Sequence, residues 1–153
     1  MPTVVLHPGA TIFVTGVNGL IGSHIADRLL KRGYKVRGAV RDVEKTKWLV
    51  DYFHRNYESS QFELVGVTDM TIEGCYDDVV NGESCRAFLS PASHKKLTLY
   101  GIGIDGFVHV ASPLGGFTDA TTAISIGIKG GLIALKACAK TLQSNASSSP
   151  RPH

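Results

Sequence analysis

Cysteine is scarce in this chain. Cys75, Cys85 and Cys138 are odd in number, far apart and in no C-x-x-C pair, which excludes a disulfide framework and gives no metal site. Charge of one sign is also lacking. The net charge of +3 comes from scattered Lys and Arg, so the clustered basic face of a nucleic-acid binder is missing. No apolar run is long enough for a membrane span, so no membrane partner is expected. The opening "MPTVVLHPGA" lacks the charged-then-apolar layout of a secretory signal, and a reducing, cytoplasmic setting is the expectation. Glycine, by contrast, is plentiful, at 17 of 153 residues. The length suits one domain and buries roughly two thirds of the unfolded surface.

Strand and helix patterns alternate. Thr11–Thr15, "TIFVT", is short, apolar and β-branched, as a buried parallel strand is. Ile21, Ile25 and Leu29 then recur at four-residue steps, with Asp27, Arg28 and Lys31 on other faces, predicting an amphipathic helix that Gly33 ends. "KVRGAV" (35–40) reads as a second strand, and Trp48, Leu49 and Tyr52 in the segment after it have helical spacing. Phe62–Val67 reads as a third strand, Thr71–Val80 as a short helix and Gly106–Val110 as a fourth strand. Asp119–Lys140 reads as a last helix with Ile124, Ile128, Leu132 and Leu135 along one side. Such alternation predicts an α/β domain over residues 1–140: a parallel sheet between two helical layers. Right-handed crossovers favour strand order 3-2-1-4.

Two segments depart from this pattern. Glu83–Gly103 is long for a connection inside a compact domain. It is expected to be an insertion, and its codons can be written with an intron's donor, branch and acceptor sequences. Residues 141–153 lack periodicity and are expected to form a disordered tail.

Gly16, Gly19 and Gly22 lie in "TGVNGLIG", between the first strand and the first helix. In that context the first glycine permits a tight turn, the second lets backbone approach a pyrophosphate, and the third lets the helix pack closely. The helix start offers unpaired N–H groups and partial positive charge to the phosphates. At the end of the second strand Arg41 precedes Asp42, and Lys45 and Lys47 follow. An arginine there suits the 2′-phosphate of NADP, because a guanidinium holds phosphate bidentately, whereas an acid favours NAD. NADP is the favoured cofactor, with NAD the alternative. Asp42 also fits the N-cap of the following helix.

These residues, with "KTKWL", "FELVGVTDMTIEGCYDDVVNG", "GFVHVASPL" and "IKGGLIALKACAK", resemble the extended short-chain dehydrogenase/reductase family, also called the NAD-dependent epimerase/dehydratase family. The nearest likeness is to its dihydroflavonol-reductase and fungal aldehyde- or ketone-reductase branch. The resemblance covers most of 11–140 and implies a Rossmann-type fold truncated before its later strands. It implies an NAD(P)-dependent oxidoreductase that reduces a carbonyl or oxidises an alcohol on a small molecule, with a place in secondary metabolism. Gly16, Val17, Asn18, Gly19, Leu20, Ile21 and Gly22 would cradle the pyrophosphate, and Arg41 and Lys45 would meet the 2′-phosphate. Asp69 and Met70 match the pair beside the adenine. Val110, Ala111, Ser112 and Pro113 match the loop near the ribose and nicotinamide. His109 is expected to be a core residue of the fourth strand, and Asp77 and Asp78 a solvated face.

The family's catalytic Tyr-x-x-x-Lys pair has no counterpart. Tyr34, Tyr52, Tyr57, Tyr76 and Tyr100 are the only tyrosines, and none has Lys four residues on, so no catalytic residue is assigned. The alternative reading is therefore a non-catalytic NADP-binding fragment or pseudoenzyme acting as an interaction module. Its fourth strand would be an open sheet edge through which another chain could pair.

Overall fold

A computed structural model describes residues 6–58, 61–80, 103–112 and 119–147, with 141–147 described by backbone path alone. The elements are β1 (Thr11–Thr15), α1 (Leu20–Lys31), β2 (Lys35–Val40), α2 (Val43–Asn56), β3 (Phe62–Gly66), α3 (Asp77–Val80), β4 (Gly106–Val108) and α4 (Ala120–Ser147). All strand pairings are parallel, in the order β3-β2-β1-β4 that the alternation predicts. The register sets Phe13 between Arg37 of β2 and Phe107 of β4.

β1 is buried at every position because it is an inner strand covered on both faces. Its alternating side chains divide the core in two. Ile12 and Val14 join Ala26 and Leu30 of α1 and Leu49 and Phe53 of α2. Phe13 faces the opposite way, among Tyr76, Val79, Ile133 and Ala137. Its ring meets those of Tyr76 and Phe107 edge-on. Arg37, 1% exposed, is the charged residue of this interior. Its Nε is ion-paired with Glu63, and its Nη1 donates to the Val79 carbonyl at 2.7 Å. Gly38 leaves a notch in β2 that Val17 fills: a Cβ on Gly38 would stand 2.5 Å from Val17 Cγ1.

Several sequence expectations shift. In α1 the buried residues are Gly22, Ala26 and Leu30, one position beyond the Ile21-Ile25-Leu29 row, and Ile21 is exposed. Gly22 takes that face because the first turn lies directly on the Gly16–Val17 backbone, where a Cβ would overlap. In α2, Thr46, Leu49 and Phe53 are buried, while Trp48 and Tyr52 are exposed. In α4 the row Ile124, Ile128, Leu132 and Leu135 is exposed, and Gly130, Ile133, Ala134 and Ala137 face the sheet. The stretch Ala120–Lys140 is also long and apolar enough by length and composition to cross a membrane, which the sequence reading did not find. One side of it packs on the sheet instead.

The segment 71–80 is helical only over Asp77–Val80. Gly74 has φ +81 and Asp69 binds Thr71, so turns precede the helix. β4 stops at Val108, because the Val110 and Ala111 amides turn to the Thr15 hydroxyl. α4 runs on to Ser147, into the expected tail, and residues 148–153 lie outside the described part. Of the expected insertion only Gly103 is described. Asp78 is exposed, as expected, but Asp77 is half-buried and bonded to Lys140.

Candidate functional site

The carboxyl ends of β1, β2 and β3, with the turns after them and after β4, enclose a cavity of about 670 Å³. That volume lies within the about 300–1,000 Å³ usual for ligand pockets. A crevice at strand carboxyl ends is where open parallel sheets bind ligands.

The glycine turn forms one wall through Gly16, Asn18 and Gly19. Gly16 has φ +65, which a side chain would strain, and a Cβ there would press on Ala111 Cα at 3.1 Å. Three of its amides are already engaged. Gly16 and Val17 donate to the Ala39 carbonyl, at 3.0 and 3.4 Å, and Gly19 donates to the Gly16 carbonyl at 3.0 Å. Ser23 is the first to bond back into the helix, at the Gly19 carbonyl. The amides of Asn18, Leu20, Ile21 and Gly22 thus have no acceptor among the described residues. No side chain caps α1 and no acid sits in its first turn. Donors and positive dipole end are therefore left for an anion. This refines the sequence expectation: Val17 is core, filling the Gly38 notch, and the Leu20 and Ile21 side chains project to solvent, leaving their amides as the usable groups. Gly22 shapes the turn, since a Cβ there would overlap the Gly16 carbonyl oxygen at 2.2 Å.

At the end of β2, Arg41 is exposed, lines the cavity and has no partner among the described residues. Asp42 lines the cavity as well, but its carboxylate is engaged. Its Oδ1 accepts from the Lys45 amide at 3.1 Å as the cap of α2, and its Oδ2 lies 3.3 Å from Lys45 Nζ. Those bonds to Lys45 hold its carboxyl below the usual carboxylate range. Lys45 lines the cavity but is engaged with Asp42 in an exposed pair, a contact weak enough for an anion to compete with.

Asp69 and Met70 lie beyond β3 and line the cavity. Asp69 Oδ1 accepts from the Thr71 hydroxyl at 2.7 Å and amide at 2.8 Å, which depress its pKa, while Oδ2 has no partner among the described residues. Met70 lies against α4 at Gly130, where a Cβ would stand 3.4 Å from its thioether. Val110, Ala111 and Ser112 form the opposite wall, and Pro113 lies outside the described residues. His109 is not the core residue expected: it follows β4 and is exposed, with Nδ1 3.0 Å from the Thr15 hydroxyl.

The sequence reading missed half of the lining, Thr15, Tyr76 and Ile126 as well as Ala39, Val40, Thr46 and the stretch around Asp69 (Val67, Thr68 and Thr71) among them. Thr15 is adjacent to Gly16 and was legible as the strand end. Tyr76 and Ile126 carry no local signal, since the chain path alone brings them in. No described tyrosine is placed as a proton donor. Tyr34 bonds the Leu6 carbonyl, and Tyr57 bonds Asp27 and is pushed up to about 12 by burial and that carboxylate. Tyr76 is buried, its hydroxyl has no partner among the described residues, and burial pushes its pKa well above a phenol's ordinary value. Among the described residues no cluster of His, Cys, Asp and Glu could hold a metal ion.

A parallel 3-2-1-4 sheet with a glycine turn at an uncapped helix start defines a Rossmann-type nucleotide-binding domain. Residues 12–95 match the NAD dependent epimerase/dehydratase family, and the chain belongs to that family. It is 35% identical over 121 residues to ketoreductase adrE of Penicillium rubens, covering 79% of this chain and 29% of that protein. It is 32% identical over 137 residues to aldehyde reductase 2 of Sporidiobolus salmonicolor, covering 90% of this chain and 34% of that protein. The crystal structure of yeast methylglyoxal/isovaleraldehyde reductase Gre2 complexed with NADPH superposes with a TM-score of 0.58 at 30% identity, covering 82% of this chain and 32% of Gre2. The chain thus spans about a third of the length of these relatives.

Proposed function

We propose that this chain is the cofactor-holding part of an NADP-dependent oxidoreductase acting on a small carbonyl compound or alcohol. The observation that carries the cofactor choice is the pairing at the end of β2. Arg41 has no partner among the described residues, while Asp42, the acid that would accept from an NAD ribose, also lines the cavity but is engaged in capping α2. The cofactor's diphosphate would rest on the free amides of Asn18, Leu20, Ile21 and Gly22, with its 2′-phosphate on Arg41 and then Lys45. Asp69 Oδ2 would accept from the adenine amino group beside Met70, and the turn Val110–Ser112 would face the ribose and nicotinamide. The bound cofactor supplies or accepts hydride; the chain's own groups bind and orient it. The named ketoreductase and aldehyde reductase relatives favour the dihydroflavonol-reductase and fungal aldehyde- or ketone-reductase branch.

The second reading, an NADP-binding module without turnover, draws on the lack of a described tyrosine placed to move a proton. Titration of the full chain with NADPH and NADH tests the cofactor. NADPH should bind more tightly, and Arg41→Ala should weaken NADPH by about tenfold, the worth of one charge-assisted contact, with little effect on NADH. Binding of neither nucleotide overturns both readings. NADPH consumption with a panel of aldehydes and ketones separates them: turnover supports the oxidoreductase, and tight binding without turnover supports the module.

A further inference from the structure

We propose that the Thr15 hydroxyl and the His109 ring form a proton-sensitive latch that positions the post-β4 turn against the glycine loop, so that nucleotide affinity falls when His109 is protonated. This rests on the cavity being the nucleotide site.

Thr15 Oγ1 has three partners although its residue is 1% exposed. It accepts from the Val110 amide at 3.0 Å and from the Ala111 amide at 3.1 Å. Its third contact is His109 Nδ1 at 3.0 Å. A hydroxyl has one proton and two lone pairs. Both lone pairs are committed to the two amides, so the proton goes to Nδ1. The network therefore assigns His109 as the neutral ring with its proton on Nε2.

Protonation of Nδ1 would set two hydrogens against each other. The hydroxyl proton would then have to turn into a dry site, or the ring would have to leave and release one neighbour of the turn. Either outcome disturbs Val110 and Ala111. Ala111 is where this matters, because its Cα lies 3.1 Å from the position a Cβ would take on Gly16. The turn and the glycine loop are thus in contact, and both line the cavity. Although the residue as a whole is exposed, partial desolvation of the ring lowers the His109 pKa, in the direction the latch requires. Among the described residues, no charged group of β1, of the turn or of any other element contributes to that shift. Thr15 acts here as a positioning residue.

The test uses the full chain and two measurements. Imidazole NMR reads the tautomer and midpoint of His109, and amide exchange reads Val110 and Ala111, both without ligand. Fluorescence titration then gives affinities for NADH and NADPH from about pH 8 to about pH 5, across the ordinary histidine range. NADH is the cleaner probe, because the NADPH 2′-phosphate itself titrates near pH 6, as phosphate monoesters do. The expected result is an Nε2–H ring at high pH and both amides protected. NADH affinity should fall about fivefold as His109 titrates, the worth of one net hydrogen bond. Thr15→Ser should keep the tautomer and the profile, and His109→Asn should flatten the profile. An Nδ1–H ring, or amides whose exchange ignores His109, overturns the latch. A flat affinity profile while His109 titrates, or an unchanged profile in His109→Asn, overturns the link to nucleotide. Binding of neither nucleotide at any pH instead overturns the reading of the cavity, and the tautomer and amide exchange still decide the latch.

Discussion

Alanine at Gly22 and alanine at Gly127 should move stability in opposite directions, although both glycines are in helices. A Cβ on Gly22 would stand 2.2 Å from the Gly16 oxygen, 2.8 Å from its carbonyl carbon and 2.9 Å from Val17 Cα. All three are backbone atoms, so no side chain can swing aside, and the first turn of α1 must lift off the loop. Overpacking of this kind costs about 3 kcal/mol at its usual upper end. Alanine's better helix propensity returns about 1 kcal/mol, leaving a net loss of about 2 kcal/mol. For a chain of this size that lowers Tm by about 4–8 °C. Gly127 has no neighbouring atom within 4 Å of a Cβ position among the described residues, so only the propensity gain of about 1 kcal/mol applies there. Its Tm should rise by about 2–4 °C. Thermal unfolding of the two variants beside the parent measures both. The lifted turn also moves the Asn18 to Gly22 amides, so NADPH affinity should drop in Gly22→Ala and hold in Gly127→Ala. A Gly22→Ala chain with the parent's Tm and affinity would refute the steric reasoning. So would a Gly127→Ala chain that loses as much as Gly22→Ala.

Gly38→Ala should destabilise by about 1–3 kcal/mol through its clash with Val17, and adding Val17→Ala should restore part of that loss. A denaturant double-mutant cycle reads the coupling, and strict additivity would contradict the notch. Glu63→Leu should cost about 3 kcal/mol by stranding the buried Arg37 charge, whereas Arg37→Met with Glu63→Leu should come out near the parent. Urea midpoints of the single and double variants decide this, and equal losses would count against it. His109 has a folded pKa lowered by burial from 6.5, so the unfolded chain takes up its proton first as pH falls. Stability should therefore be full above about pH 6.5 and decline as pH drops from there through the folded value. Urea midpoints against pH should show that decline in the parent and not in His109→Asn. Losses at lower pH, as Asp27, Asp69 and Asp119 are protonated, should be common to both chains.

The strand order and the glycine turn were legible because their signals are local. A β-branched run, three glycines and an amphipathic segment follow one another within Thr11–Lys31, and alternation with right-handed crossovers leaves few topologies. The Asp42 cap was legible for the same reason, as it bonds three residues along the chain. Helix faces were not. Four-residue spacing shows that Ile124, Ile128, Leu132 and Leu135 share a side, but Gly130 packs on Met70, and Ile133, Ala134 and Ala137 are what join the core against the sheet. A hydropathy pattern ranks large apolar residues above glycine and alanine, so it selects the wrong stripe wherever close approach decides the packing.

The amino-acid order by itself determined the architecture and the place where an anion could be held: a turn of glycines at an uncapped helix start. Tertiary structure alone decided which amides have no acceptor there among the described residues, that Arg41 and Asp42 both line the cavity, and that Thr15 ties the post-β4 turn to β1 across 94 residues of sequence. The division is physical. Backbone conformation follows from neighbours in the chain, but whether a donor or a charge is spare depends on which distant atom has already taken it.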